Sequence, residues 1–181
     1  MTDQPPPGRG SSVVTAIFPD GRRAEEAFEA ATRLGYSKDD INVVMSDETR
    51  SKHFGDVRPG AELKEQSKAS TGAGVGGSVG LGVGAALGAF VAAATAIAIP
   101  GVGVIVAGPL AGAIAGAGAG AATGGLLGAL IGAGIPEDRA AEYEAGIKRG
   151  GILVGTRARD REHAAALERD FSEYGARDIR R

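Results

Sequence analysis

The chain has no cysteine and no tryptophan, and only 4% of its 181 residues are aromatic. Without cysteine there is no disulfide framework, no thiolate nucleophile and no cysteine metal site. Two histidines, His53 and His163, are too few and too isolated for a histidine-based metal centre, which needs companion ligands. Acidic and basic side chains nearly cancel, at a formal net charge of −2. That balance excludes the basic footprint of a nucleic-acid-binding domain. Charge is also missing locally: from Ala69 through Pro136 there is not one charged side chain. The beginning, MTDQPPPGRGSS, has no apolar run behind a basic start and reads as a proline-rich leader, not a secretory signal.

Glycine is what the chain has in excess, 31 residues against an ordinary share of about 7%. Most of it falls in the charge-free tract, and it is phased. Gly72, Gly76, Gly80, Gly84 and Gly88 recur every four residues, continued by Ala92 and Ala96. After Pro100-Gly101-Val102-Gly103 a second row runs through Gly108, Gly112, Gly116, Gly120, Gly124, Gly128 and Gly132. Residues four apart share one helix face, so each row predicts a strip along which another backbone can approach closely. The expectation is an antiparallel glycine-zipper helical hairpin, Thr71 to Ile99 and Val104 to Gly134, with all twelve glycines as helix-packing residues. Interior glycine costs a helix in water up to about 1 kcal/mol relative to alanine. A bilayer, where helix is enforced, or a crowded protein assembly would offset that cost.

The tract interrupts a repeated pattern. Val13 to Phe18 alternates like a strand and is stopped by Pro19-Asp20-Gly21. Ala24, Ala27, Phe28, Ala31 and Leu34 then mark an amphipathic helix, with Arg22, Arg23, Glu25, Glu26, Glu29 and Arg33 off its apolar face and Gly35 as its stop. Ile41 to Met45 supplies a second strand. Behind the tract, a short helix from Glu137 to Arg149 leads to a strand at Ile152 to Thr156, a helix opened by Asp160 with Ala164, Leu167, Phe171 and Tyr174 on its apolar face, and a last strand at Asp178 to Arg180. Asp20 pairs with Asp160, Ala24 with Ala164, Ala31 with Phe171 and Gly35 with Gly175 at one constant offset, so the halves read as an internal repeat. Two βαβ units in one sheet predict an α+β, ferredoxin-like βαβ-βαβ domain. The division is a leader at 1–11, a first half with linker at 12–68, the hairpin at 69–135 and the second half at 136–181.

Catalytic motifs are absent. Gly72-Ala73-Gly74-Val75-Gly76-Gly77 matches G-x-G-x-x-G in form, but it follows Ser70-Thr71 instead of a strand, and no Walker lysine follows any glycine loop. Glu142, Glu144 and Asp138 read as the charged face of a helix, and Arg157 and Arg159 as a solvated strand face, the alternative being that these two, with Arg161 and Arg181, touch anionic lipid headgroups. No catalytic residue, metal ligand, cofactor or small-molecule substrate is assigned. A ligand-binding or enzymatic use of the sheet face around Leu153 and Arg157 is the weakest of the functional readings.

The segments Val13 to Met45 and Ile135 to Ala158 resemble bacterial general stress proteins of the heat-induced stress type. The likeness is carried by Ile135-Pro136-Glu137-Asp138-Arg139-Ala140, Tyr143 through Gly151, and Asp20, Gly35 and Tyr36. It implies a non-catalytic stress role and offers no catalytic residues to carry over. The functional expectation is a stress protein held in or on the cytoplasmic membrane by its glycine hairpin, self-associating through the zipper faces, with the α+β domain in the cytoplasm. The alternative is a soluble cytoplasmic homo-oligomer with the hairpins in a buried core.

Overall fold

A computed structural model of the chain describes residues 12–37, 39–54, 85–93, 96–99, 103–117 and 119–181. The first half forms strand β1 (Val13–Phe18), helix α1 (Gly21–Arg33), strand β2 (Ile41–Ser46) and helix α2 (Asp47–Phe54). The glycine-rich tract contributes α3 (Ala85–Ala93), β3 (Ala96–Ile99), β4 (Val104–Ala107), α4 (Pro109–Ala117) and α5 (Ala119–Gly132). The second half adds α6 (Glu137–Lys148), β5 (Ile152–Arg157), α7 (Arg161–Glu173) and β6 (Arg177–Arg180).

The repeat seen in the sequence has a local cause. Asp20 and Asp160 are the N-caps of α1 and α7, their carboxylates accepting from the backbone N–H of Arg23 (3.0 Å) and His163 (2.8 Å). At the far ends, Gly35 (φ 84°) and Gly175 (φ 71°) take the left-handed conformation that closes both helices. The next N–H reaches back five residues in each, from Tyr36 to Ala31 and from Ala176 to Phe171.

All strand pairings are antiparallel, in the order β3-β4-β2-β5-β1-β6. The fold is therefore mixed α/β around one antiparallel sheet. β5, from the second half, lies between β1 and β2 of the first half, with Val154 opposite Ala16 on one side and Val43 on the other. Alternating side chains divide the sheet into two apolar faces. Val14, Ala16, Phe18, Val43, Met45, Ile152 and Val154 meet α1, α7 and α3 in one core. There Phe18 stands edge-on to Phe171 at 5.5 Å between ring centres. Ile17, Val44, Val104, Val106 and Leu153 meet Ala111 and Ile114 of α4, Leu126 and Leu130 of α5, and Tyr143 and Ile147 of α6 in a second core.

The uninterrupted helical hairpin expected across the tract does not hold over Ala96–Ile99 and Val104–Ala107, which are strands paired in register from Ala96↔Ala107 to Ile99↔Val104. The physical reason lies in composition and in an available partner. Ile97, Ile99, Val104, Ile105 and Val106 are β-branched, which disfavours helix and suits strand. They lie on either side of Pro100-Gly101 in the sequence, and β4 completes the hydrogen bonding of β2 from Val43↔Ala107 to Ser46↔Val104. Both faces of β4 are buried. The second helix is likewise two, α4 and α5, and α5 is itself interrupted at Gly125 (φ 61°).

Gly108 ends β4 at φ 92°, and a Cβ there would stand 2.1 Å from the carbonyl oxygen of Ile41. Gly103 also has a positive φ of 64°, but nothing lies within 4 Å of its missing side chain. Gly108→Ala is expected to lower unfolding stability by roughly 3 kcal/mol, combining left-handed strain with a backbone clash, and Gly103→Ala by only about 1–2 kcal/mol. Urea denaturation of the two variants checks the difference, and equal losses would contradict it.

Candidate functional site

The glycine rows occupy several different environments. Gly72, Gly76, Gly80 and Gly84 lie outside the described residues, as does the G-x-G-x-x-G match. Gly88 is buried in α3, where an added Cβ would sit 3.6 Å from the Phe54 ring. Gly108 is needed at the contact between β4 and β2. Gly112 and Gly116 on α4 and Gly124 on α5 are exposed, with nothing among the described residues within 4 Å of where a side chain would begin. Gly120, Gly128 and Gly132 belong to α5, Gly132 being exposed. The tightest helix-to-sheet contact comes from glycines outside the rows. A Cβ on Gly146 of α6 would stand 2.3 Å from Ile17 Cδ1, and one on Gly151 2.7 Å from Ile17 Cγ2.

The insertion is tied to the first half by a buried charge. Glu25, on α1, is only 5% exposed, and its carboxylate accepts from the N–H of Ala86 (2.8 Å) and Leu87 (2.9 Å) in the first turn of α3. This satisfies two of the amides that a helix start leaves without partners. The expectation that Glu25 faces away from the packed side is thereby corrected. Charge alone placed it outside, whereas α3 supplies the N–H groups that let it go in.

On the second face of the sheet a cleft of about 480 Å³ opens between α4, the end of α5 and the start of α6. Its floor is the Thr15, Leu153 and Gly155 face of β1 and β5, and its apolar walls include Leu110, Ala113 and Ile135. Arg139, Arg157 and Arg181 line it, and no acidic residue does among the described residues. Tyr143 and Thr15 share a 2.5 Å hydroxyl hydrogen bond, and Asn42 Oδ1 accepts from Leu110 N–H at 2.6 Å. Arg139 donates to the Arg181 carbonyl (3.1 Å), and Arg181 Nε to Ser12 Oγ (3.2 Å). Arg157 is exposed and makes no hydrogen bond or ion pair among the described residues. Pro136 heads α6 without any side-chain cap, so the amide end of that helix opens beside Arg139. Leu153 and Arg157 were visible in the sequence as a strand face. Their neighbours from α4 and α5 were not, because a glycine-alanine tract has no polar side by which to orient it.

Other titratable candidates are structural in placement. Glu142 pairs with Arg180 at 2.9 Å, His163 Nδ1 lies 3.0 Å from Asp160, and Arg159 stacks over the Tyr36 ring at 4.7 Å. His53 lies in α2, against Gly21. Among the described residues no group of three or more His, Asp or Glu is placed to hold a metal ion. No protein-family model, curated protein or solved structure matches the chain.

Burial pushes the Glu25 carboxyl above its usual value, opposed by the N–H groups of Leu87 and Ala86 and aided by nearby Glu29. The folded chain holds this proton more tightly than the unfolded chain, so the Glu25 contribution is most favourable when protonated and weakens as pH rises through the raised pKa. The stability of the wild type minus that of Glu25→Gln is therefore expected to fall from acid to neutral pH. Urea melts across that range check it, and a difference that grew with pH would show that the amide contacts outweigh burial.

Proposed function

We propose that the chain is a non-catalytic general stress protein with a ferredoxin-like domain that self-associates through the small-residue face of its glycine-rich insertion. The strand order β2-β5-β1-β6 supports the ferredoxin-like reading, since it places each strand of one βαβ unit beside a strand of the other. The observation that carries self-association is the outward placement of Gly112, Gly116 and Gly124. They weaken their helices, leave no contact for a side chain among the described residues, and leave bare backbone where a second copy can approach. Ile131, 41% exposed, adds apolar surface on α5. The apolar side chains Ile114, Leu126 and Leu130 are turned to the sheet, which favours a soluble cytoplasmic homo-oligomer.

A second setting, the cytoplasmic membrane, is supported by the charge-free stretch from Ala69 through Pro136. No described helix is long and apolar enough to cross a bilayer, so this form depends on the remainder of the tract. Carbonate washing of membranes from expressing cells separates the two settings: a pellet-bound chain indicates lipid embedding, and a soluble one the free assembly. The stress-protein assignment is supported by the residue pattern around Ile135 to Gly151.

Gly112→Leu combined with Gly116→Leu is expected to abolish self-association while raising helix stability by about 0.5–1 kcal/mol at the interior position. Sedimentation velocity and urea melts read the two effects separately. An oligomer that survives both substitutions in a folded chain would sink the self-association reading.

A further inference from the structure

We infer that the arginine-lined cleft binds a small carboxylate with an apolar body, with Arg157 as the principal anion contact. A volume of about 480 Å³ lies within the ordinary range for small-molecule sites, about 300–1,000 Å³. The distribution of charge selects the ligand. Three guanidinium groups border the cleft; Arg181 is paired with Glu168 at 3.8 Å, but no carboxylate among the described residues lines the cleft itself, and the amide end of α6 adds positive potential beside Arg139.

These donors are unequally free. Arg139 and Arg181 are already engaged within the chain, by the Arg181 carbonyl and by Ser12 and Glu168, whereas the Arg157 side chain has no partner among the described residues. One unengaged planar fork suits one carboxylate, which it can grip with two parallel hydrogen bonds. A polyphosphate would require several free cations together, and the remaining walls do not supply them. Leu110, Ala113, Ile135 and Leu153 instead present apolar surface to the rest of the ligand.

The floor of the cleft is closely packed. Gly155 lies in β5, which is buried from Ile152 to Thr156 and exposed at Arg157, at a position where glycine permits close approach of a neighbouring group. A Cβ on Gly155 would stand 3.1 Å from Thr15 Cγ2, so glycine there makes room for the Thr15 side chain of β1. Thr15 and Tyr143 satisfy each other, so their hydroxyls hold the wall of the cleft in place and leave the anion to the arginine.

Calorimetric titration of the full chain with octanoate, below its micelle concentration, tests the inference against two probes of altered chemistry, 1-octanol and inorganic phosphate. Octanoate is expected to bind, octanol to bind at least about tenfold more weakly for want of the charge-assisted bonds, and phosphate not to compete. Arg157→Gln alters an exposed, unpaired side chain and is expected to weaken octanoate about tenfold without shifting the melting temperature. Ala113→Leu fills the cleft from an exposed helix position and is expected to remove binding. Absence of octanoate binding, equal affinity for octanol, displacement by phosphate, or wild-type affinity in Arg157→Gln would each overturn the inference.

Discussion

Everything in the structure depends on the insertion of β5 between β1 and β2. The two strands of the first half do not pair with each other; each finds its neighbour in a segment that lies beyond the glycine-rich tract. This pairing is supported on both sides of the sheet. Ile152 and Val154 point into the core beneath α1 and α7, Leu153 into the one beneath α6. A strand buried on both faces contributes apolar burial twice, at about 1.5–3 kcal/mol for each large side chain. The sheet therefore joins β2, which precedes the tract, directly to β5, which follows it.

The two layers of helix are built by different means. α1 and α7 follow repeated sequence rules, aspartate at the start and left-handed glycine at the end, and they use Phe18, Phe28 and Phe171 to fill their side. The opposite layer sets Ala111, Ala129 and Ala140 beside larger side chains such as Leu126 and Tyr143, and comes close to the sheet at glycines. Gly108, Gly146 and Gly151 make that proximity possible. The glycines that remain on the outside of α4 and α5 take no part in it, and the same small-residue composition thus serves contact on one side and leaves bare surface on the other.

The elements outside the tract were legible because their signals are local. Pro19-Asp20-Gly21, the spacing of Ala24, Ala27 and Ala31, and the matched Gly35 and Gly175 each fix a boundary through the chemistry of one or two residues. The strands β3 and β4 were hidden for the opposite reason: Ile97, Ile99, Val104 and Val106 are strand formers, but a run without charge offers no alternation to distinguish strand from buried helix. Their position also depends on the free edge of β2, which is a tertiary fact. Glu25 shows the same limit at one residue. Its place on the helix reads as solvent-facing until α3 brings two N–H groups to it. Of the cleft, only the strand residues could be read, since its other walls come from helices whose orientation depends on the sheet they cover.

The partners of β1 have a consequence for the order of events on the ribosome. β1 is bordered only by β5 and β6, and the register from Val14↔Thr156 to Phe18↔Ile152 can be completed only after the whole glycine-rich segment has been translated. β2, β4 and β3 can assemble earlier, being contiguous in the sheet and encoded before the second half. During elongation at about 5–20 residues per second, the first strand of the chain waits several seconds without its native neighbours. The nascent protein is thus obliged to keep a six-residue apolar segment from foreign pairing for longer than any other part of its sheet.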